Sequence, residues 1–374
     1  MKRLLLLTRH YPSAVSGGVR RPYLLAAALR RKGVDVRIVA PSLPEGEPGL
    51  AVPHPNRDPS DDTGPARPSL RGIARDLLLW PDPDIRWCQR AADAAIAEGW
   101  KPEWVLSTSP PESIHVAAER LARALGARWA ADFRDLWLEA PHRTERRRLH
   151  RRIGEGLLAR KLLPKADLVL AVDQVVAAEA GRLGARGPQV LEHFTSEDVP
   201  APFAYEGSGL NILHAGSIAL SDPEACIDDL LAPFEAATAL RSDLVLNFAG
   251  RLTAAEKARI AASPAAPGIR QFGPVPYETA RAMMAGADAL AFVASGKMHV
   301  PPSKIVDYLA FDLPLVACGE GPWRTDLRVP TEPAAGVLNR LTRGAGRNTS
   351  AAPRYSDAAA SRFLDLCATY CNEA

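Results

Sequence analysis

LLLLTRHYPSAVSGGVRRPYLLAAALRRKGVDVRIVA, residues 4–40, decides the fold of this chain. Leu4–Leu7 is a short, continuous apolar run, as a parallel strand covered on both faces requires. Tyr11 to Gly18 is a turn-rich loop. From Val19, apolar residues recur at helical spacing through Leu24, Leu25, Ala28 and Leu29, and Gly33 stops the helix. Val34–Val39 reads as the next strand. Strand, helix and strand in immediate succession predict a parallel sheet, with ligands near the carboxyl ends of its strands.

The alternation continues outward. Residues 104–107, 128–132, 167–172 and 189–193 read as strands, and 70–79, 85–98 and 114–125 as helices. A second α/β pattern starts at Leu210, with strands at 210–216, 244–249, 269–272, 289–293 and 315–318. Its helices read as 225–240, 256–262, 277–285 and 303–310. The predicted division is an N-terminal Rossmann-like domain over 1–198, a C-terminal one over 199–350, and a terminal helix over 351–374 that returns to the first domain. Residues 41–68 hold eight prolines, a density that predicts a long irregular loop without helix or central strand.

Composition narrows the function. A length of 374 residues suits two domains. With 47% apolar and 24% charged residues, extensive disorder is excluded. A net charge of +3 gives no basis for nucleic-acid binding. That charge is unevenly placed: residues 143–165 carry nine Arg and Lys against Glu145 and Glu155, so this segment is +7 and the remainder −4. Leu149, Ile153 and Leu157 mark one face of a helix there, and the arginines the other. The five cysteines are scattered without a CxxC pair and read as reduced thiols, with no metal site expected. No apolar run reaches the ~20 residues of a membrane span. Leu4–Leu7 is also shorter than the ~7–15 apolar residues of a secretory signal, so the expected location is the cytoplasm.

Two glycine turns join a strand to a helix, Gly17-Gly18 in the first half and Gly216-Ser217 in the second. Such turns let a backbone approach a diphosphate beside free N–H groups, though they also occur as plain turns. The strongest constellation is Pro301-Pro-Ser-Lys-Ile-Val-Asp-Tyr-Leu-Ala310. Ser303 can cap the helix, and Lys304 lies in its first turn, where a cation is unfavourable unless an anion is bound. Asp307, one turn on, would project on the same side and could accept both hydroxyls of a ribose. An ordinary capped surface helix with a Lys304–Asp307 pair remains the other reading.

Together with Ser107-Thr-Ser-Pro-Pro111, Ala131-Asp-Phe-Arg-Asp-Leu-Trp137 and His214-Ala-Gly-Ser217, these segments resemble the family 4 glycosyltransferases over nearly the whole chain. The resemblance implies the GT-B fold, two Rossmann-like domains facing across a cleft. It further implies retaining transfer of a sugar from a nucleotide sugar to a glycan or lipid-linked acceptor, often in bacterial cell-surface polysaccharide synthesis, without a bound metal. No separate cofactor is implied. A UDP-sugar is favoured over a GDP-sugar, although the loop Gln271–Val275, with Phe272 and Val275, would hold the base mainly through its backbone. Arg251 would neutralise the diphosphate with Lys304.

The family pattern carries over in part. Its second donor-site glutamate, the ribose ligand, is Asp307 here, and its first, which contacts the transferred sugar, is replaced by His299. A histidine elsewhere in the family contacts the reacting sugar near the end of the ADFRDLW strand. The nearest candidates here are Asp132, Arg134 and Asp135, which also fit a structural ion pair. Asp82-Pro-Asp84 reads as a turn, and His10 and His115 show no partner triad.

Three functions follow. The first is a retaining glycosyltransferase. The second is a nucleotide-sugar epimerase of the same fold, which the ADFRDLW and PSK segments fit poorly. The third is a catalytically inactive relative acting as a membrane-associated assembly partner. The basic helix within 143–165 fits an anionic membrane surface, at roughly 1 kcal/mol per basic residue, or a solvated face whose apolar stripe packs on its own domain.

Overall fold

The computed structural model describes residues 1–12, 17–55, 80–139, 149–296, 303–321, 323–326, 328 and 332–372. The expected helix at 70–79, residues 143–148 of the basic segment, and His299 lie outside the described residues. The chain forms two compact units. Unit 1 comprises Met1–Glu192 and Ser356–Ala374, and unit 2 comprises His193–Tyr355.

Unit 1 is built on a parallel sheet of β1 (Arg3–Thr8), β2 (Asp35–Ala40), β3 (Gly49–Ala51), β4 (Trp104–Ser109), β5 (Arg128–Phe133), β6 (Leu168–Ala171) and β7 (Gln189–Val190). Its order is β3-β2-β1-β4-β5-β6-β7. Leu4–Leu7 are buried, as are all six residues of β4, because helices cover both faces of the sheet. Leu4 to Leu7 align with Val36 to Val39 on one side and with Trp104 to Ser107 on the other. The helix Arg20–Arg31 packs against the terminal helix Ser356–Asn372, with Arg31 and Asp357 paired at 2.7 Å. The last helix therefore belongs to unit 1.

Unit 2 holds a parallel sheet of β8 (Leu210–Ala215), β9 (Leu244–Ala249), β10 (Ile269–Gly273), β11 (Ala289–Val293) and β12 (Leu315–Cys318), in the order β10-β9-β8-β11-β12. Apolar clusters lie on both faces. Leu230, Leu231, Phe234 and Phe248 centre one; Met283, Phe292, Ile305 and Leu309 centre the other. Burying each such side chain contributes about 1.5–3 kcal/mol.

One expectation needs correction, and one open alternative is narrowed. The proline-rich loop contains a strand after all: Gly49–Ala51 pairs with Ile38–Ala40 at the sheet edge. An edge strand needs pairing on one side only, which the prolines flanking it permit. Gly49 suits this position, because a Cβ there would collide with the Ile38 carbonyl oxygen.

The open alternative concerns the basic helix, Leu149–Leu162. Its buried face is Glu155, Gly156, Ala159 and Leu162. Ile153 and Leu157, for which both inward packing on the domain and an outward face were open, are 57% and 61% exposed. The helix is seated through small residues: a Cβ on Gly154 would touch the Trp80 ring at 3.5 Å, and one on Gly156 would meet Leu138 at 3.4 Å. Glu155 accompanies them inward near Arg151 (3.9 Å), whose guanidinium also donates to the Pro81 carbonyl at 2.7 Å.

Candidate functional site

In each sheet one pair of neighbouring strands marks the point where the order reverses: β1 and β4 in unit 1, β8 and β11 in unit 2. Connections there leave toward opposite faces and open a crevice at the carboxyl ends.

In unit 2, β8 runs into Gly216, whose φ of +99° is a value that side chains rarely adopt. Its N–H donates to the Ala249 carbonyl at 2.7 Å. Gly250 follows β9 so closely that a Cβ on it would collide with the Gly216 carbonyl oxygen. This contact fixes the backbone on which Ser217 and Arg251 are carried. The helix Ser303–Tyr308 is anchored beside the same turn, since the Tyr308 hydroxyl accepts the Ala215 N–H at 2.8 Å.

Lys304 reaches from that helix into the turn, where Nζ donates to the Ser217 carbonyl at 2.9 Å. Burial lowers its pKa to about 8, with the negative charges of Asp222 and Glu256 opposing the shift. Both carboxylates are held in place. Asp222 accepts from the Ser295 N–H (2.7 Å) and hydroxyl (3.0 Å), and Glu256 accepts from the Thr253 N–H and the Ala219 N–H. A lysine ammonium beside tightly turned backbone, at a switch point, can hold an anion such as a phosphate.

Asp307 takes a different direction. It is only 4% exposed, and its Oδ1 accepts from the Thr195 hydroxyl at 2.8 Å and the Tyr277 hydroxyl at 3.0 Å. Lys304 reaches the Ser217 carbonyl instead of pairing with Asp307 along the helix. Sequence spacing did not reveal Thr195, Tyr277 or the Arg281 that bonds to Thr195, because they lie far from Asp307 along the chain. Phe272 is half-exposed and meets Phe203 and Tyr205 edge-to-face at 5.9 and 6.3 Å, while Val275 packs on the adjoining apolar cluster.

In unit 1, the corresponding crevice is filled by Arg134. Its guanidinium donates to the carbonyls of Ser109 (2.7 Å), Gly18 (2.5 Å) and Pro110 (3.2 Å). Gly18 fits because a Cβ would lie 3.0 Å from His10 Cδ2 and 3.1 Å from Arg134 Nη1. Gly17 opens the short 3-10 turn Gly17–Val19 that leads into the helix. Asp132 is 1% exposed and accepts from Arg21 Nε at 2.9 Å, Arg21 Nη2 at 2.7 Å and the Thr108 hydroxyl at 2.8 Å. Burial alone would raise its pKa, but the charge and hydrogen bonds of Arg21, with Thr108, hold it below the ordinary carboxylate range. Asp135 is half-buried, and its charge partly offsets the lowering of the Arg134 pKa by burial.

Asp82, read as part of a turn, caps the helix Ser113–Leu125 from a distant segment by accepting the Ser113 N–H (2.8 Å) and hydroxyl (2.7 Å). His115 is buried against Phe133, with ring centroids 4.4 Å apart, and burial lowers its pKa to about 3. Its Nδ1 meets the Ser107 hydroxyl at 2.8 Å. Among the described residues, no group of three or more His, Cys, Asp or Glu side chains could hold a metal ion. No described helix is long and apolar enough to cross a membrane.

No curated protein matches the chain in sequence. Among solved structures, HepE of Anabaena in complex with UDP-glucose is 12% identical, with a TM-score of 0.55 over 98% of this chain and 90% of its own. The sucrose-phosphate synthase of Thermosynechococcus elongatus is 13% identical, with a TM-score of 0.55 over 99% of this chain and 91% of its own. The UDP-GlcNAc 2-epimerase of Methanocaldococcus jannaschii is 11% identical, with a TM-score of 0.55 over 99% of this chain and 100% of its own. At these identities the likeness is one of fold, which a synthase and an epimerase share. Residues 16–191, slightly under half the chain, match the family model of the glycosyl transferase 4-like domain. Unit 1 thus carries a glycosyl transferase 4-like domain in a chain of GT-B fold, in keeping with the resemblance to family 4 glycosyltransferases.

Proposed function

We propose that the protein is a retaining glycosyltransferase that moves a sugar from a nucleotide sugar, preferably a UDP-sugar, to a glycan or lipid-linked acceptor of cell-surface polysaccharide synthesis. The observation that carries this reading is Lys304, drawn into the Gly216–Ser217 turn at the unit 2 switch point. As the bond from the anomeric carbon to the diphosphate breaks, negative charge grows on the leaving oxygens. Lys304, Arg251 and the backbone N–H groups of this turn stabilise that charge more than the ground state, which lowers the barrier. Asp307 takes the ribose hydroxyls. His299, by its place in the family pattern, meets the hydroxyls of the transferred sugar. Retention places the acceptor hydroxyl on the face of the departing diphosphate, whose oxygen takes up the hydroxyl proton as the new bond forms.

In unit 1, Arg134 supports the acceptor side through the carbonyls it binds, and Asp132 does so through Arg21, which bonds to the Leu191 and Glu192 carbonyls, with Asp135 and the Gly17-Gly18 turn beside Arg134. The helix Leu149–Leu162 offers Ile153 and Leu157 beside exposed Arg152, Arg160 and Lys161, which fits an anionic membrane surface at the cytoplasmic face.

A panel of nucleotide sugars tests the reading. Slow release of free nucleotide and sugar without acceptor is expected for a transferase. Appearance of an epimer would establish the epimerase instead, and binding without turnover of any donor, with or without acceptors, would establish the inactive relative.

A further inference from the structure

His214 is the penultimate residue of β8, and its ring is fully buried beside Phe248, with ring centroids 5.9 Å apart. Its Nδ1 lies 3.1 Å from the Ala291 carbonyl, an atom that only accepts, so Nδ1 carries a proton. In a neutral ring Nε2 then carries none, and it meets no hydrogen-bond partner among the described residues. A buried polar atom left unsatisfied costs about 1–3 kcal/mol. Such an atom beside the turn of the anion site points to a partner that arrives at another stage of the cycle.

The carbonyls of Ala291 and Ser217 both favour the protonated ring. Burial opposes it most and the charge of Lys304 next, and together they hold the ring well below the ordinary histidine pKa. Among the described residues, Lys304 is the charged group that acts on the ring, while Asp222 and Glu256 act on Lys304. The Ser217 carbonyl is where the two side chains meet, since Lys304 Nζ donates to it at 2.9 Å. His214 and Lys304 therefore compete for one acceptor, and without ligand Lys304 holds it. An anion at the turn reverses the balance. Gly216 is exposed, so a diphosphate can approach the turn there. An ammonium drawn to the diphosphate leaves the Ser217 carbonyl without its donor, and the negative charge of the ligand offsets the repulsion that kept the ring neutral.

We propose that His214 is a positioning residue of the anion site: when the donor diphosphate draws Lys304 from Ser217, the ring takes a proton from solvent at Nε2 and donates it to the Ser217 carbonyl. The turn keeps its shape while Lys304 serves the ligand, and the imidazolium adds a second positive charge behind the leaving group. This rests on the donor reading of Lys304. His214 touches no substrate and acts through the Ser217 carbonyl.

The test follows the ring itself in the full-length chain. Histidine is isotope-labelled, the His214 signals are assigned by their loss in His214→Gln, and NMR shifts of the two ring nitrogens distinguish the neutral ring from the imidazolium. Without nucleotide the ring is expected to carry a proton at Nδ1 alone. Saturated with UDP or GDP, whichever binds more tightly, it is expected to carry protons at both nitrogens. Lys304→Met without nucleotide should titrate at a higher pH than wild type, because the opposing charge is gone. Calorimetry gives a second readout: as pH falls below about 7, nucleotide affinity should rise several-fold more in wild type than in His214→Gln, since the nucleotide's own phosphate titrates alike against both. A merely structural histidine would stay neutral with nucleotide bound and would titrate unchanged in Lys304→Met. Either result overturns the inference and leaves the donor reading standing. If wild type binds neither UDP nor GDP, the donor reading falls and the inference falls with it.

Discussion

Asp132 and Asp307 are both buried, one in each unit, and they are held by different donors. In unit 1, Arg21 clamps the Asp132 carboxylate directly, and Thr108 adds a further donor. In unit 2, the guanidinium of Arg281 bonds to Thr195, and the hydroxyls of Thr195 and Tyr277 donate to Asp307 Oδ1. The cations at the two switch points differ in the same sense. Arg134 spends its guanidinium on three carbonyls, whereas Lys304 spends one donor on Ser217. A directly paired and saturated group holds structure. The contrast supports the proposed binding role of unit 2 over a catalytic one for Asp132 and Arg134 in the ADFRDLW segment of unit 1.

The largest effect should come from opening the closed pair. Arg21→Met leaves the Asp132 carboxylate buried without its cation, a change that costs about 3–5 kcal/mol. Denaturant unfolding of the variant should show that loss. A cost below ~1 kcal/mol would mean that Asp132 is not locked and would restore it as a candidate for chemistry. Asp307→Asn should behave oppositely. Asparagine can still accept from Thr195 and Tyr277 through its carbonyl oxygen, so stability should change by less than ~1.5 kcal/mol, while nucleotide affinity falls about 10–100-fold.

The contrast was only partly legible in the sequence. The central strands were, because burial on both faces writes a continuous apolar run such as Leu4–Leu7 or Leu168–Ala171. Lys304 was, because a cation in the first turn of a helix conflicts with the helix dipole. The partners that separate the two aspartates were not. Arg21 and Asp132 are 111 residues apart, as Thr195 and Asp307 are 112 apart, and no local pattern links them. The outward turn of Ile153 and Leu157 was hidden for a different reason. Periodicity places residues on a common face, but the seat of that helix is made by Gly154, Gly156 and Ala159, which carry little hydropathy signal.

Lys304 sharpens the comparison through pH. Its pKa lies near 8 against an ordinary 10.5. Between these values the unfolded chain binds the extra proton, so stability without ligand should rise with pH across that interval. Anion binding requires the charged form, so nucleotide affinity should fall above about pH 8, by up to ten-fold per unit. The two curves move in opposite directions. Lys304→Arg stays charged and should flatten the affinity profile. A wild-type affinity that is level from pH 7 to 10 would remove Lys304 from the anion site.

The smallest effect on folding should come from the face that unit 1 leaves uncovered. Ile153 and Leu157 bury little, so replacing both by Ser should change stability by no more than ~0.5 kcal/mol. The same change removes the apolar contact of a helix whose exposed face also carries Arg152, Arg160 and Lys161. Binding to vesicles rich in anionic lipid should therefore weaken severalfold, and raised salt should weaken the wild type as well, since it screens the basic residues. Replacing Arg152, Arg160 and Lys161 by Gln separates the contributions: it should remove the salt dependence and leave a weak apolar residue of binding. Vesicle binding that neither set of changes reduces would mean that the exposed face serves some contact other than lipid.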